Sequence, residues 1–198
     1  FPTWGVLVKE DYEATVGYLQ RLVDHGHHLF RFYISGDDAE FDNRFLTDMF
    51  SRFGDRIRLK QIDFSGRFSD WRAALRYADV LRHHNPFHFE QPSWDLRVCA
   101  EFTKRMDLPV SLHTATLERG LESIERGACT AFNLCNVFRG PSYIRRLYAL
   151  AESAGIFCTI GTDQESTLGI AGQLHLGASM PNLNLPCDPM GPMLYTAS

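Results

Sequence analysis

The sequence predicts an α/β fold built as a closed parallel barrel, with a doubly wound open sheet as the other arrangement the pattern allows. Two observations point there. Short β-rich runs recur along the chain, and stretches of helical periodicity fall between them. The spacing from run to run is about 20–30 residues, the length of one strand–helix unit. Eight runs with seven intervening helical or loop segments suit a barrel best.

The β-rich runs are Thr3–Leu7, Leu29–Ile34, Ile57–Ile62, Phe87–Phe89, Pro109–Leu112, Ala131–Leu134, Phe157–Ile160 and Leu183–Leu185. Each combines apolar and β-branched or aromatic residues over a strand's length. Three intervening stretches carry a clear helical face. In Tyr12–Val23 it is Val16, Tyr18, Leu19, Leu22 and Val23. In Trp71–His83 it is Ala74, Leu75, Tyr77, Ala78 and Leu81. In Tyr143–Ser153 it is Ile144, Leu147, Tyr148 and Leu150, with Gly155 placed where a helix would stop. No Gly/Pro/Ser-rich linker or low-complexity tract interrupts residues 1–198, which read as one domain.

Composition narrows the function. The 198 residues are 44% hydrophobic and 22% charged, ordinary globular proportions. A net charge of -4 without a dense Lys/Arg patch argues against a nucleic-acid partner. No apolar run reaches the roughly 18 residues of a membrane span. Five scattered cysteines, Cys99, Cys129, Cys135, Cys158 and Cys187, lack CxxC spacing and read as reduced core thiols of a cytoplasmic protein. The chain opens on Phe1, so an N-terminal segment is expected to be missing, with any targeting signal in it.

In a parallel barrel, chemistry sits at the C-terminal ends of the strands. Run two ends in Arg31-Phe32-Tyr33, run three in Gln61-Ile62-Asp63, and run four in His88-Phe89-Glu90-Gln91-Pro92. Run five ends in His113, and run six in Asn133-Leu134-Cys135. Asp163 and Glu165 follow run seven, and Asp188 follows run eight. Three successive strands thus end in Asp63, Glu90 and His113, residue types that bind divalent ions; adjacent strands are close enough for them to converge on one. Polar capping of strand ends at solvent is the plainer explanation for any one of them.

This ordered set resembles the enolase superfamily, in particular its mandelate racemase and muconate-lactonizing branch. The likeness rests on Glu90-Gln91-Pro92, on the 27 residues from Asp63 to Glu90 and 23 from Glu90 to His113, and on the tail. That tail runs Glu165-Ser166, Leu168-Gly169-Ile170-Ala171, Gln173-Leu174-His175-Leu176 and Pro181-Asn182-Leu183. The resemblance implies a TIM-like (β/α)7β barrel whose N-terminal capping domain, last helix and tail lie outside this chain. It implies a Mg²⁺ ion on Asp63, Glu90 and His113, with Mn²⁺ or another divalent ion made possible by the imidazole. It also implies a homo-oligomer.

The activity it implies is that of a lyase or isomerase on a small carboxylate: α-proton abstraction, then stabilisation of the enediolate. A dehydratase, an epimerase and a cycloisomerase all begin that way. The family's lysines on strands two and six are replaced here by Arg31, Tyr33 and Cys135. Arg31 and Tyr33, two apart on one strand, share a side, so the guanidinium is expected to lower the tyrosine's pKa. His88 points with Glu90 and reads either as a hydrogen-bonded core histidine or as a general acid or base. Asp188 completes the expected catalytic group of Tyr33, Arg31 and His88. Asp163 and Glu165 are candidates for substrate contact, as is Cys135, which also reads as a packed thiol. The other histidines read as loop or structural residues, and Arg139 as a surface residue. The alternative function is a catalytically impaired relative that keeps the barrel for binding or oligomer assembly.

Overall fold

Among the described residues each α-helix follows a strand, and several start on a short polar side chain that accepts the first free amides. In the computed structural model Asp38, Asp70, Asp95, Thr116 and Ser166 play this part, accepting from the backbone N–H of Phe41, Arg72 and Ala73, Arg97, Arg119 and Gly169. The structure describes residues 4–7 (as backbone), 12–36, 38–134, 139–163 and 165–188. Its strands are β1 (Trp4–Leu7), β2 (Leu29–Tyr33), β3 (Arg58–Asp63), β4 (His88–Glu90), β5 (Val110–His113), β6 (Ala131–Asn133) and β7 (Phe157–Thr159). The helices are α1 (Tyr12–Asp24), α2 (Ala39–Phe53), α3 (Trp71–Leu81), α4 (Leu96–Thr103), α5 (Leu117–Glu125), α6 (Pro141–Ser153) and α7 (Thr167–Ala178).

All strand pairs are parallel and the sheet runs in sequence order, β1 to β7, as barrel staves do. The eighth expected strand, Leu183–Leu185, is instead irregular. Prolines at 181 and 186 bracket it, and Pro186 has no N–H for a ladder. The segment still lies against β7, where Leu185 N–H donates to the Cys158 carbonyl (3.2 Å) and Asp188 N–H to that of Ile160 (2.8 Å). From there Asp188 reaches β2 and β3: its carboxylate lies 3.3 Å from Arg31 Nη2 and 2.7 Å from Lys60 Nζ. The two flanks of the sheet therefore meet inside, and the sheet is curled into a barrel.

Facing alternates along each strand. In β2, Phe30 and Phe32 turn outward to the helices, leaving Arg31 and Tyr33 inward. In β3 the alternation changes phase: Ile57 and Leu59 pack outward before Lys60, and Ile62 and Phe64 after Gln61. The cause is a bulge. Phe30 pairs with Leu59 and Arg31 with Gln61, so Lys60 is an extra residue. Lys60, Gln61 and Asp63 consequently all face inward. One apolar cluster fills the space between α1–α4 and the first strands, with Phe32, Leu46, Phe64 and Phe89 fully buried. A second joins β5–β7 to α6 and α7 through Phe132, Leu147 and Leu176.

Cys99, Cys129, Cys158 and Cys187 are free thiols buried in or beside these cores. Burial pushes Cys99 up to about 11 and Cys129 and Cys158 to about 12, so they stay protonated packing groups. Cys135 lies outside the described residues. Among the described residues no helix is long and apolar enough to cross a membrane.

Lys60→Met leaves Asp188 with one cation in place of two, and should cost roughly 3–5 kcal/mol in urea unfolding, since it strips a partner from a buried charge. His84, following α3, stacks on Phe50 and has Nε2 2.9 Å from Asn43 Oδ1; burial, then the neighbouring charge of His83, push its pKa down to about 4. The unfolded chain binds that proton near pH 6.5, so stability is complete above 6.5 and declines as pH falls toward 4. Because the ring is half exposed, about 1–2 kcal/mol is expected; unfolding at pH 4.5 and 7 should show that difference shrink in His84→Gln.

Candidate functional site

Five strand ends and the segment after β7 bring their inward side chains to one point. At its centre is Glu90, the last residue of β4, fully buried. Its Oε1 accepts from Arg31 Nη2 (3.0 Å), Asn133 Nδ2 (2.9 Å) and His113 Nε2 (2.7 Å). Its Oε2 accepts from Gln61 Nε2. Burial alone would raise this carboxyl; the Arg31 cation and His113 override it and hold Glu90 well below the usual range.

Arg31 is 3% exposed and touches three acids. Besides Glu90, its Nε lies 3.6 Å from Asp63 Oδ2 and its Nη2 3.3 Å from Asp188 Oδ2. Burial opposes the guanidinium charge, but Glu90, Asp188 and Asp63 together raise its pKa further. Asp63 accepts from Ser65 N–H (2.7 Å), and its pKa is raised by burial and by the nearby Glu90. Lys60 and Asp188 are both fully buried. Burial lowers the lysine's pKa while Asp188 works to keep it charged.

Tyr33 and Arg31 do pair, with Arg31 Nη1 donating to Tyr33 Oη at 2.9 Å. The expected electrostatic effect loses to solvation. Burial is the larger influence, Arg31 opposes it, and the three surrounding carboxylates add to it, so the phenol is pushed up to about 12. Tyr33 is therefore a neutral hydroxyl near pH 7 and a hydrogen-bond donor in place of a base.

His88 faces inward with Glu90, as parity predicts, but is fully buried beneath the opening. Its Nε2 is 3.8 Å from Glu90 Oε2, beyond hydrogen-bonding distance, and burial lowers its basicity. His113 is different. With 28% of its side chain exposed it reaches the opening while Nε2 stays on Glu90. The Glu90-Gln91-Pro92 turn positions it: the buried Gln91, at φ 44, accepts from His113 N–H through Oε1 (2.8 Å) and donates through Nε2 to the Ser93 carbonyl (2.6 Å). The same turn is tied to the loop after β3 by Gly66 N–H on the Gln91 carbonyl (2.7 Å) and Phe68 N–H on that of Pro92 (3.1 Å). Gly66, at φ 71, leaves the space that the Trp94 indole fills, and a Cβ there would collide with the ring. Trp94, 61% exposed, stands 6.4 Å from the His113 ring as one wall of the mouth.

Of the residues after β7, Glu165 turns back on its own loop, accepting from Thr162 Oγ1 (2.7 Å), Asp163 N–H (2.9 Å) and Gln173 Nε2 (2.8 Å). Asp163 is exposed, raised by partial burial and by Glu165, and within the field of His113 and Arg31. Sequence reasoning passed over Lys60, Gln61 and Asn133 as site residues. Gln61 shares Asp63's parity and Asn133 ends β6, signals that were present; Lys60 is turned inward only by the bulge.

The three side chains expected to bind a metal do meet, since Asp63 and Glu90 are register partners and His113 bonds Glu90. Their arrangement does not fit a divalent ion. Four donors, His113 Nε2 among them, already lie on the two Glu90 oxygens, and the Arg31 guanidinium reaches both Glu90 and Asp63. Among the described residues no group of three His, Cys, Asp or Glu side chains is disposed to hold a metal.

Comparison with known proteins agrees with this geometry at the level of fold. A muconate cycloisomerase structure from Pseudomonas fluorescens superposes on the whole chain with a TM-score of 0.88 at 22% identity, the chain covering 56% of it. Muconate cycloisomerase 1 of Rhodococcus opacus is 29% identical over 141 residues, 69% of this chain and 38% of that protein. The N-succinylamino acid racemase of Thermus thermophilus is 34% identical over 121 residues, 59% of this chain and 32% of its own length. The chain thus spans between a third and about half of these relatives. With residues 14–197 matching the family described as "Enolase C-terminal domain-like", the chain belongs to that family.

Proposed function

We propose that residues 1–198 act as the barrel domain of an isomerase- or lyase-type enzyme that removes the proton α to the carboxylate of a small acid. The observation that carries this is the His113–Glu90 pair at the mouth. An imidazole oriented by a buried carboxylate is favoured in its protonated form, which suits it to take a proton from a ligand. The imidazolium formed is then stabilised by the same carboxylate.

The substrate carboxylate is received by the Tyr33 hydroxyl, held neutral by burial and polarised by Arg31 beneath it. As the α-carbon loses its proton, negative charge moves onto the carboxylate oxygens. A fixed donor there gains strength in the transition state. His113 then returns the proton to carbon in an isomerase or to a leaving group in a lyase. Asp188 and His88 act from below, Asp188 by holding Arg31 and Lys60, His88 by filling the space beside Glu90. Asp163 orients polar parts of the substrate at the rim.

A second reading, a barrel kept for binding or assembly without turnover, is favoured by one observation: its inward lysine, Lys60, is sealed against Asp188 away from the mouth. Isotope exchange separates the two. The full protein in D2O, given muconate and N-succinylamino acids as first probes, should exchange or convert one of them. His113→Gln should slow that reaction about 10²–10⁴-fold with folding intact. Tyr33→Phe should slow it about 10²-fold, through loss of one transition-state donor. A folded protein that exchanges no α-proton across a broad panel of small carboxylates would sink the enzyme reading in favour of the second.

A further inference from the structure

We infer that the Arg31 guanidinium serves at this barrel mouth as the cation that gathers the acidic strand ends, in place of a divalent metal ion. The inference deepens the proposed function by naming the charge that works at its site, but it stands on contacts that need no turnover.

Asp63, Glu90 and Asp188 are at most 3% exposed, and buried carboxylates require compensating charge. Arg31 contacts all three, at 3.6, 3.0 and 3.3 Å, from a single side chain. A guanidinium suits this work, because it is planar, permanently charged and carries five donors. It is also covalently fixed to β2, so no binding equilibrium governs its presence.

A divalent ion would need oxygen or nitrogen donors at about 2.0–2.6 Å, with lone pairs facing it. Both Glu90 oxygens are already engaged, Oε1 by Arg31, Asn133 and His113 and Oε2 by Gln61. A second cation would also face the guanidinium at close range in a low-dielectric interior. Removing the guanidinium would leave the acids together with their cation gone, a site that an added ion can fill.

Mn²⁺ titration followed by electron paramagnetic resonance tests this on the wild-type protein and on Arg31→Ala. The wild type should show no stoichiometric site in the roughly micromolar to millimolar range, and its melting temperature should not move with EDTA. Arg31→Ala should melt lower than wild type, and added Mn²⁺ or methylguanidinium should restore part of the loss. Stoichiometric Mn²⁺ on the wild type that is abolished by Glu90→Gln would overturn the inference, and this arm needs no Arg31 variant to fold. So would an Arg31→Ala protein that folds and responds to neither cation. Because the readouts are binding and melting, failure of the exchange experiment leaves this result intact, and the converse also holds.

Discussion

Compensation of three buried carboxylates sets the shape of the barrel's interior. Asp63, Glu90 and Asp188 arrive from three different parts of the sheet, and each would be strongly unfavourable inside it alone. Arg31 and Lys60 are the two buried cations that meet them. Arg31 touches all three acids, whereas Lys60 faces Asp188, and so β2, β3, β4 and the segment beyond β7 are held by one network. Negative charge exceeds positive by one in this group. Asp63, with the longest contact to Arg31, has its pKa raised by burial and by Glu90.

The same network divides the strand-end residues by depth. His88, Lys60 and Asp188 are fully buried, whereas Tyr33 and His113 reach the opening. The deep layer carries most of the charge and the mouth offers a neutral phenol and an imidazole, so a ligand would meet fixed hydrogen-bonding groups backed by compensated ions. The loops bounding this layer are joined edge to edge through Gly66, Gln91, Phe68 and Pro92. Trp94 is seated where glycine leaves room for it. A mouth braced in this way holds His113 in place with little help from helices.

Strand positions were legible because each is a short apolar run bounded by polar residues, and the strand ends directed attention to Arg31, Asp63, Glu90 and His113. The eighth run was misjudged because Leu183 and Leu185 have strand-like composition, while the flanking prolines control the backbone. Asp63, Glu90 and His113 read as metal ligands because sequence order does not reveal which donor faces which acceptor. Once the Arg31 side chain is placed, it meets the charge that a metal would otherwise meet. The Tyr33 expectation failed on magnitude. Proximity of the guanidinium was foreseen, but the cost of a phenolate in a dry pocket lined by three acids outweighs it.

The bulge at Lys60 has a wider consequence. A pleat has only two sides, and one inserted residue works as a phase change between two halves of the same strand. The half before it is committed to the helix layer through Ile57 and Leu59; the half after it is committed to the mouth through Gln61 and Asp63. Deleting the insertion would force one half to present its apolar residues to the charged interior, or its charged residues to the helices. While the insertion stays, the two halves can change sequence independently, the lower tuned for packing and the upper for chemistry.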